Sequence, residues 1–285
     1  MNVRYMFLFL LLSVFIIFST VVIAQDDAPK FGWKKSVVGD LNLTQTSFDN
    51  WAQGGENSFA WQFNFNFNFT NNQENYSWAN SGKLTYGSLK AGDEEFRKSI
   101  DEIKLESVYT YLMNAYINPF VAATGESQMT AGYKYNDDGT KTQIAAFMDP
   151  GYLRESAGVG YSKNDIVKTR LGVALKQTFS SDYPYADDPE TKNEIEKFKN
   201  EIGAESVTDL NWKIASNSLL TSKLELFSNI KGVKEIDVNW DNVLSTKISK
   251  YVAFNFNVKL LYDKDISAKR QIKQAIALGL TYSFL

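Results

Sequence analysis

Residues Phe59–Thr70 read F-A-W-Q-F-N-F-N-F-N-F-T, with Trp61, Phe63, Phe65, Phe67 and Phe69 on one parity and Gln62, Asn64, Asn66, Asn68 and Thr70 on the other. Successive side chains of a strand point to opposite faces, so this segment carries one face of large rings and one face of neutral amides. At helical spacing the same rings would scatter round the whole circumference. A strand of a soluble sandwich alternates too, but its polar face is usually mixed and charged. Rings opposite amides fit a strand with lipid outside and a wet lumen inside.

Eleven further segments alternate, giving twelve at about 37–47, 58–70, 75–89, 99–113, 115–127, 152–163, 166–180, 201–213, 217–230, 235–248, 250–262 and 272–284. In one, Phe254 and Phe256 oppose Asn255, Asn257 and Lys259. In the last, Leu278, Leu280, Tyr282 and Phe284 oppose Ala277, Gly279, Thr281 and Ser283. Junctions sort by length: those after even segments are tight turns, and those after odd segments are mostly long. A sandwich has no reason for that sorting, whereas outer-membrane barrels have short periplasmic turns and long extracellular loops. The predicted fold is therefore all-β: an antiparallel up-and-down transmembrane barrel of about twelve strands spanning 37–285. The turn Asn136-Asp137-Asp138-Gly139 predicts a hairpin projecting from the longest loop, which brings the count to fourteen. Asp188-Pro189 ahead of Glu190–Lys199 reads as the start of a short charged helix. Pro119, inside the fifth segment, predicts a bulge or kink.

The first 24 residues change the picture of location. Arg4 is their one charge, followed by an apolar run ending at Ala24. This reads as a signal peptide cleaved after Ala24, with an uncleaved anchor as the competing reading. Residues 25–36 are then a periplasmic lead-in. No later segment has the length and apolarity of a membrane helix, so a membrane-embedded mature chain must be a closed barrel.

Composition removes whole classes of chemistry. Among 285 residues there is no histidine and no cysteine, so Ser-His and Cys-His catalysis and His- or Cys-ligated metals are ruled out. Asp237 and Asp241 share a parity four residues apart, roughly 13 Å along a strand, too far for a carboxylate pair in glycoside-type hydrolysis. The formal net charge of −3 becomes −4 if Arg4 is removed, which gives no basic field for nucleic acid. An enzyme is not expected, and neither is a cofactor or a resident metal.

Inward-parity charges and amides are the lumen-lining candidates: Asn64, Asn66, Asn68, Glu102, Lys104, Glu106, Lys168, Arg170, Lys176, Glu205, Asp209, Lys213, Lys223, Glu225, Lys259 and Lys273, with Asp237 and Asp241 of the same parity. Both signs occur in quantity. Segregated, they would set a transverse field across a pore; interleaved, they would fill a narrow lumen with ion pairs. The lipid-facing candidates are Trp61, Phe63, Phe65, Phe67, Phe69, Phe254, Phe256, Leu278, Leu280, Tyr282 and Phe284. In the loop Trp51, Gly54, Gly55, Glu56, Asn57, the glycines permit a sharp reversal and the ring is either an interfacial anchor or a binding platform. The acidic run Asp187, Asp188, Glu190 reads as a solvated loop, with divalent-cation binding as the alternative.

Three stretches carry a family resemblance. Thr44–Ser58 reads T-Q-T-S-F-D-N-W-A-Q-G-G-E-N-S, Asp101–Ser107 reads D-E-I-K-L-E-S, and Phe147–Leu153 reads F-M-D-P-G-Y-L, followed by Gly158–Lys163. Together these resemble a bacterial family called domain of unknown function 3078, found in Gram-negative outer membranes. The resemblance implies an outer-membrane β-barrel and supplies no activity or site residues. The terminal L-G-L-T-Y-S-F-L is close to a recognition signal for the barrel-assembly machinery, with its aromatic, Phe284, second from last. The expected function is a non-enzymatic outer-membrane barrel, porin-like or structural, whose partners are outer-membrane lipid and that machinery. The alternative is a soluble periplasmic barrel binding an apolar ligand, which would turn Phe63, Phe65 and Phe67 inward.

Overall fold

The computed structural model describes residues 31–47, 56–162, 166–187, 196–231, 236–264 and 269–285. The expected signal segment 1–24, lead-in residues 25–30, Trp51–Gly55, and Asp188 and Glu190 lie outside the described residues.

Twelve antiparallel strands close into a barrel. They are β1 (Gly32–Thr46), β2 (Ser58–Asn72), β3 (Tyr76–Ala91), β4 (Arg97–Tyr111), β5 (Ile117–Ser127), β8 (Gly151–Ser162), β9 (Val167–Phe179), β10 (Phe198–Ala215), β11 (Ser218–Asn229), β12 (Ile236–Lys247), β13 (Val252–Tyr262) and β14 (Gln271–Ser283). The hairpin β6 (Gly132–Tyr135) and β7 (Lys141–Ala145) is a separate two-stranded sheet. The ring runs β1-β14-β13-β12-β11-β10-β9-β8-β5-β4-β3-β2. Every neighbour is consecutive except β5 and β8, which flank the hairpin, and β1 and β14, which close the ring. The seam that closes the ring is short: β1 and β14 pair from Val38↔Ser283 to Asn42↔Gly279.

Residues directly opposite each other on paired strands share a face. The registers Asn66↔Lys83, Lys83↔Lys104, Lys104↔Glu126 and Glu126↔Tyr152 therefore carry one face through five strands. That face is the lumen, because its charges meet across the barrel. The opposite parity points outward and holds the rings of β2. Phe63 is 39% exposed and Leu278 58% exposed on that outer wall. Phe67 and Phe69 contact each other there with centroids 5.1 Å apart, and Phe67 covers Gly82. The apolar-ligand alternative needs these rings inside, and they are outside.

Polarity is inverted relative to a globular core. Among the described residues the buried apolar side chains are Val37, Phe120, Ala145, Ala174, Ala186, Val207, Phe227 and Ala253, whereas Lys176, Glu201, Glu205, Glu225 and Asp263 are buried charges. The large exposed apolar residues include Leu105, Val121, Leu171, Val173, Ile202 and Ile276 on the outer wall. Ring pairs mark both rims: Trp33–Trp78 and Tyr76–Tyr109 at the short-turn end, Phe59–Phe96 and Phe179–Phe198 at the long-loop end. Between them Glu155 is an exposed carboxylate on the outward parity of β8; Lys35 and Asp101, also of outward parity, sit near the rims.

The cross-section is oval. A circular twelve-strand barrel has a diameter of roughly 24 Å for ~4.8 Å strand spacing and ~40° tilt. Yet Lys259 on β13 reaches Glu126 on the diametrically opposite β5 at 3.8 Å. A fully extended Lys and Glu with such a contact span only about 15 Å between Cα atoms, so those walls are drawn together. Glycines with close backbone neighbours stand toward both ends of the oval, and Gly203, where an added Cβ would stand 2.2 Å from the Ser228 carbonyl oxygen, stands on the wall between them. At Gly158, paired with Gly172 across β8 and β9, a Cβ would stand 2.1 Å from the Leu171 carbonyl oxygen. On the other side of the ring, a Cβ on Gly279 of β14 would stand 2.7 Å from the Leu41 carbonyl oxygen of β1.

Several expectations are corrected. β1 starts at Gly32, so the last five residues of the proposed 25–36 lead-in belong to the barrel. Pro119 causes no bulge: β5 pairs β8 without a shift through Pro119↔Val159, and the ladder with β4 ends at Phe120, so the missing N–H interrupts nothing on that side. Register shifts occur instead between Gly87 and Ser88 and between Lys213 and Ala215. Of the helix expected over 190–199, residues 190–195 lie outside the described residues, and Phe198 and Lys199 are strand residues paired with Phe179 and Thr178.

Candidate functional site

Two cavities lie in the lumen among the described residues. The larger, about 360 Å³, lies toward the short turns and is walled by Asn66, Asn68 and Ser81 on one side and Asp209, Lys223 and Asp241 on the other. The smaller, about 140 Å³, lies toward the long loops among Glu126, Tyr152, Arg154, Lys176 and Phe227. Lys104, Glu225 and Asn239 line both and form the partition between them.

The partition is made of side chains alone. Lys104 Nζ donates to Glu225 Oε2 at 2.7 Å, crossing from β4 to β11. Asn239 Nδ2 donates to the same oxygen at 2.7 Å, and Glu126 stands 3.6 Å from the Lys104 ammonium. Around this bond other pairs also cross the oval: Lys83 with Asp241 at 3.1 Å, Lys259 with Glu102 at 3.2 Å, and Glu106 with both Arg170 and Lys223. Arg154 reaches Glu205 at 3.4 Å. Nearer the long loops, Lys176 is bracketed by Asp237 at 2.7 Å, Asp263 at 2.8 Å and Glu201 at 3.8 Å.

Signs alternate at every contact, so the interior is interleaved rather than divided into a positive and a negative wall. Buried charges are tolerated when paired and hydrogen-bonded, and each lysine here faces more than one carboxylate or a carboxylate plus an amide. Polar atoms without a protein partner, including Asn239 Oδ1, Glu205 Oε2 and Arg154 Nε, sit along the same interior. Such groups call for water, and cavities of these sizes hold several. Besides Tyr152, rings in the interior include Phe227, which is 2% exposed, lies over Gly203 and has the Lys176 ammonium 5.6 Å from its centroid, and Phe120, which lies under the Arg170 guanidinium.

The sequence candidates divide by position. Glu102, Lys104, Glu106, Arg170, Lys223, Glu225 and Lys259 form the mid-lumen network, and Asn66 and Asn68 face the larger cavity across from it. Asn64 accepts from Gln62 at 2.9 Å higher on the same wall. Glu205 pairs with Arg154, Lys176 belongs to the upper cluster, and Asp209 lies 3.5 Å from Lys223. Lys168 lies in register with Asp209. Lys213 precedes the bulge at the short-turn rim, and Lys273 is exposed beside Lys259 on β14. Lys83, Glu126, Arg154 and Asn239 were missed. Lys83 is the one charge in Tyr76–Leu89 and shares parity with Ser81 and Thr85, a signal available in the sequence; Arg154 is followed at once by Glu155, so charge alone does not reveal which of them turns inward.

Outside the barrel wall, Glu56 lies against Gly92, and the Asn57 carbonyl accepts the Gly92 N–H at 2.7 Å. Asp149 braces two long loops. It accepts from Ser180 Oγ and from the Asp182 N–H at 2.8 Å. Burial pushes its carboxyl up, but the hydrogen bonds from Ser180 and from the 181–183 backbone outweigh burial and hold it below the usual carboxylate range. No group of three or more His, Cys, Asp or Glu arranged to hold a metal ion occurs among the described residues.

Residues 43–133 match the family model described as "Protein of unknown function (DUF3078)". The match takes in Thr44–Ser58 and Asp101–Ser107; the Phe147–Leu153 and Gly158–Lys163 stretches lie beyond it. No curated protein sequence matches the chain. Among solved structures, the translocator domain of the autotransporter NalP from Neisseria meningitidis aligns at 9% identity with a TM-score of 0.40, covering 90% of each chain. An outer membrane channel from Pseudomonas putida F1 aligns at 10% identity with a TM-score of 0.41, covering 93% of this chain and 99% of that one. The NanC porin aligns at 8% identity with a TM-score of 0.39, covering 86% and 97%.

Proposed function

We propose that the protein is a non-enzymatic outer-membrane barrel that passes small polar solutes through a lumen shut, in the conformation described, by its ion-paired partition. The membrane reading rests on the inverted polarity: rings and aliphatic side chains outside, charges inside, aromatic pairs at both rims. The short-turn rim then faces the periplasm and the long loops face outward. Cleavage near Ala24 supplies the route of export.

The channel reading rests on one observation: what separates the two cavities is the Lys104–Glu225–Asn239 contact, with no backbone segment across the lumen among the described residues. Side chains swing on far shorter timescales than folded plugs leave. A solute passing this constriction meets donors and acceptors of both signs, which favours uncharged or zwitterionic molecules over ions of one sign. Recording from the purified protein in planar bilayers tests the reading. Rare openings that become frequent when the partition is weakened support it. A membrane as resistive as bare lipid, for the native chain and for partition variants alike, leaves a purely structural barrel.

A further inference from the structure

The stretch Phe147-Met148-Asp149-Pro150, part of the longest loop, forms a tight turn whose tip is apolar. Ala146 and Asp149 exchange backbone hydrogen bonds of 2.9 and 3.1 Å, leaving Phe147 and Met148 as the two tip residues. Phe147 is 62% exposed and Met148 44% exposed. Met148 has φ of 55°, the left-handed region that L residues other than Asn and Asp seldom occupy. Tips of this kind usually carry Gly or Asn. Two large apolar side chains, one in an unfavourable backbone conformation, are an expensive choice for a turn in water.

The turn's placement gives the reason. It lies on the outer wall, not over the lumen. Ser127 at the end of β5 and Gly151 at the start of β8 both have outward parity. The Ser127 hydroxyl accepts the Met148 N–H at 2.9 Å and donates to the Pro150 carbonyl at 2.9 Å. The Met148 side chain covers Gly151, whose added Cβ would stand 2.7 Å from Met148 Cε. Gly151 is paired in register with Phe179, whose ring lies 5.2 Å from that of Phe198 on the same outer rim. Gln128 Nε2 fixes the Ala146 carbonyl at 2.9 Å, and Asp149 ties the far side to Ser180 and Asp182. The turn is clamped from both sides while its two apolar side chains project.

We infer that Phe147 and Met148 are a lipid anchor: the turn continues the aromatic rim and seats both side chains in the outer membrane interface. The occupant is the lipid surface, argued from continuity with the apolar wall directly beneath. The inference rests on the membrane reading above. Its consequence is that the longest loop is held down beside the barrel, with the β6–β7 hairpin rising from a fixed base and the mouth left unobstructed by this segment.

The chain has no cysteine, so single labels are clean. Three variants, Phe147→Cys, Leu278→Cys and Asp137→Cys, are labelled with a nitrobenzoxadiazole fluorophore and reconstituted in phosphatidylethanolamine–phosphatidylglycerol vesicles, with heat-shifted gel mobility confirming the fold. Quenching is read with acyl-chain nitroxide lipids and with aqueous iodide. The label at 147 is expected to be quenched by the nitroxide lipid at least half as strongly as that at 278, and by iodide several-fold less than that at the hairpin tip, 137. Iodide quenching at 147 equal to that at 137 puts the turn in water and overturns the anchor. Protection from both quenchers puts it against protein and overturns it equally. If the label at 278 escapes the nitroxide lipid, the membrane reading falls and the anchor with it; if 278 is quenched and 147 is not, the anchor alone fails.

Discussion

Lys104→Met is the sharpest test of the partition, because it keeps the length and volume of the side chain and removes only the ammonium. That ammonium holds Glu225 at 2.7 Å and stands 3.6 Å from Glu126. Removing one partner from a dry buried pair costs about 3–5 kcal/mol. Here Glu225 keeps the Asn239 amide and both neighbouring cavities have room for water, so the loss is better taken as that of one charge-assisted hydrogen bond, about 1.5–3 kcal/mol. On the proposed channel reading, that bond exists only in the closed lumen. At ~1.4 kcal/mol per factor of ten, the open-to-closed ratio should rise by about 10- to 150-fold. Single-channel recording in planar bilayers reads the ratio directly. Glu225→Gln should act in the same direction. The double variant should open little more than either single one, since both remove the same contact. If each single variant opens no more often than the native chain, the Lys104–Glu225 contact does not close the lumen and the mechanism is wrong.

Four other outcomes follow from particular residues. Leu278→Lys places an ammonium on the outer wall and should cost about 2–4 kcal/mol in urea titrations of vesicle-refolded protein, whereas Ala277→Ser, one residue away and facing the lumen, should stay within about 0.5 kcal/mol; equal effects would contradict the assigned faces. Glu155→Leu removes the carboxylate from the outer wall and should stabilise by roughly 1 kcal/mol in the same assay; destabilisation would mean the carboxylate meets a partner there. Gly158→Val sets a Cβ against the Leu171 carbonyl at one sharp end of the oval and should cost at least about 1–3 kcal/mol, read as a lower temperature for the gel-mobility shift; an unchanged shift would argue against the oval section. Asp149 titrates below its ordinary value, so its loop tie is at full strength above the usual carboxylate range near ~4 and is lost as pH falls through the lower folded value. Amide exchange in 128–150 should therefore be slow from neutral pH down to that range and speed up below it, beyond the intrinsic pH dependence. Asp149→Ala should already exchange fast at pH 7, and a native loop with no such transition would refute the tie.

The strands were legible because their signal is local. A period of two survives any partner, and in Trp61–Phe69 or Val252–Leu260 the two faces differ so sharply that parity fixes which side chains share a wall. The pattern shows β1 short because Trp33-Lys34-Lys35-Ser36 sets charges on both parities, which conceals the alternation at the turn-proximal end. Pro119 misleads for a different reason. A proline disrupts only a ladder that needs its N–H, and the extent of the β4–β5 ladder is a property of the closed ring, not of the fifth segment. The candidate site was legible as a set of inward charges and illegible as a set of pairs. Parity says that Lys104 and Glu225 both turn inward; it does not say that strands on nearly opposite sides of the ring stand close enough for them to touch.

That proximity traces to glycine. In a round twelve-strand barrel, opposed lysines and glutamates would fall short of each other and the lumen would be an open, water-filled bore. Flattening the ring demands two sharp bends, and a bend brings the inward substituents of adjacent strands into the space of the neighbouring backbone. Gly158 with Gly172 on one side, and Gly279 beside Asn42 on the other, leave that space free, as Gly203 does beside the Ser228 carbonyl on the wall between them. The flatter walls between the bends are the ones that carry Lys83, Lys104, Glu126 and, facing them, Glu225, Asp241 and Lys259. Charge and shape therefore depend on each other: the glycines let the walls approach, and the ion pairs hold them there against water that would otherwise fill the gap. On this view the state of the lumen is set as much by residues at the ends of the oval as by the partition itself, and a variant at Gly158 that widens the section should loosen the Lys104–Glu225 contact without touching either side chain.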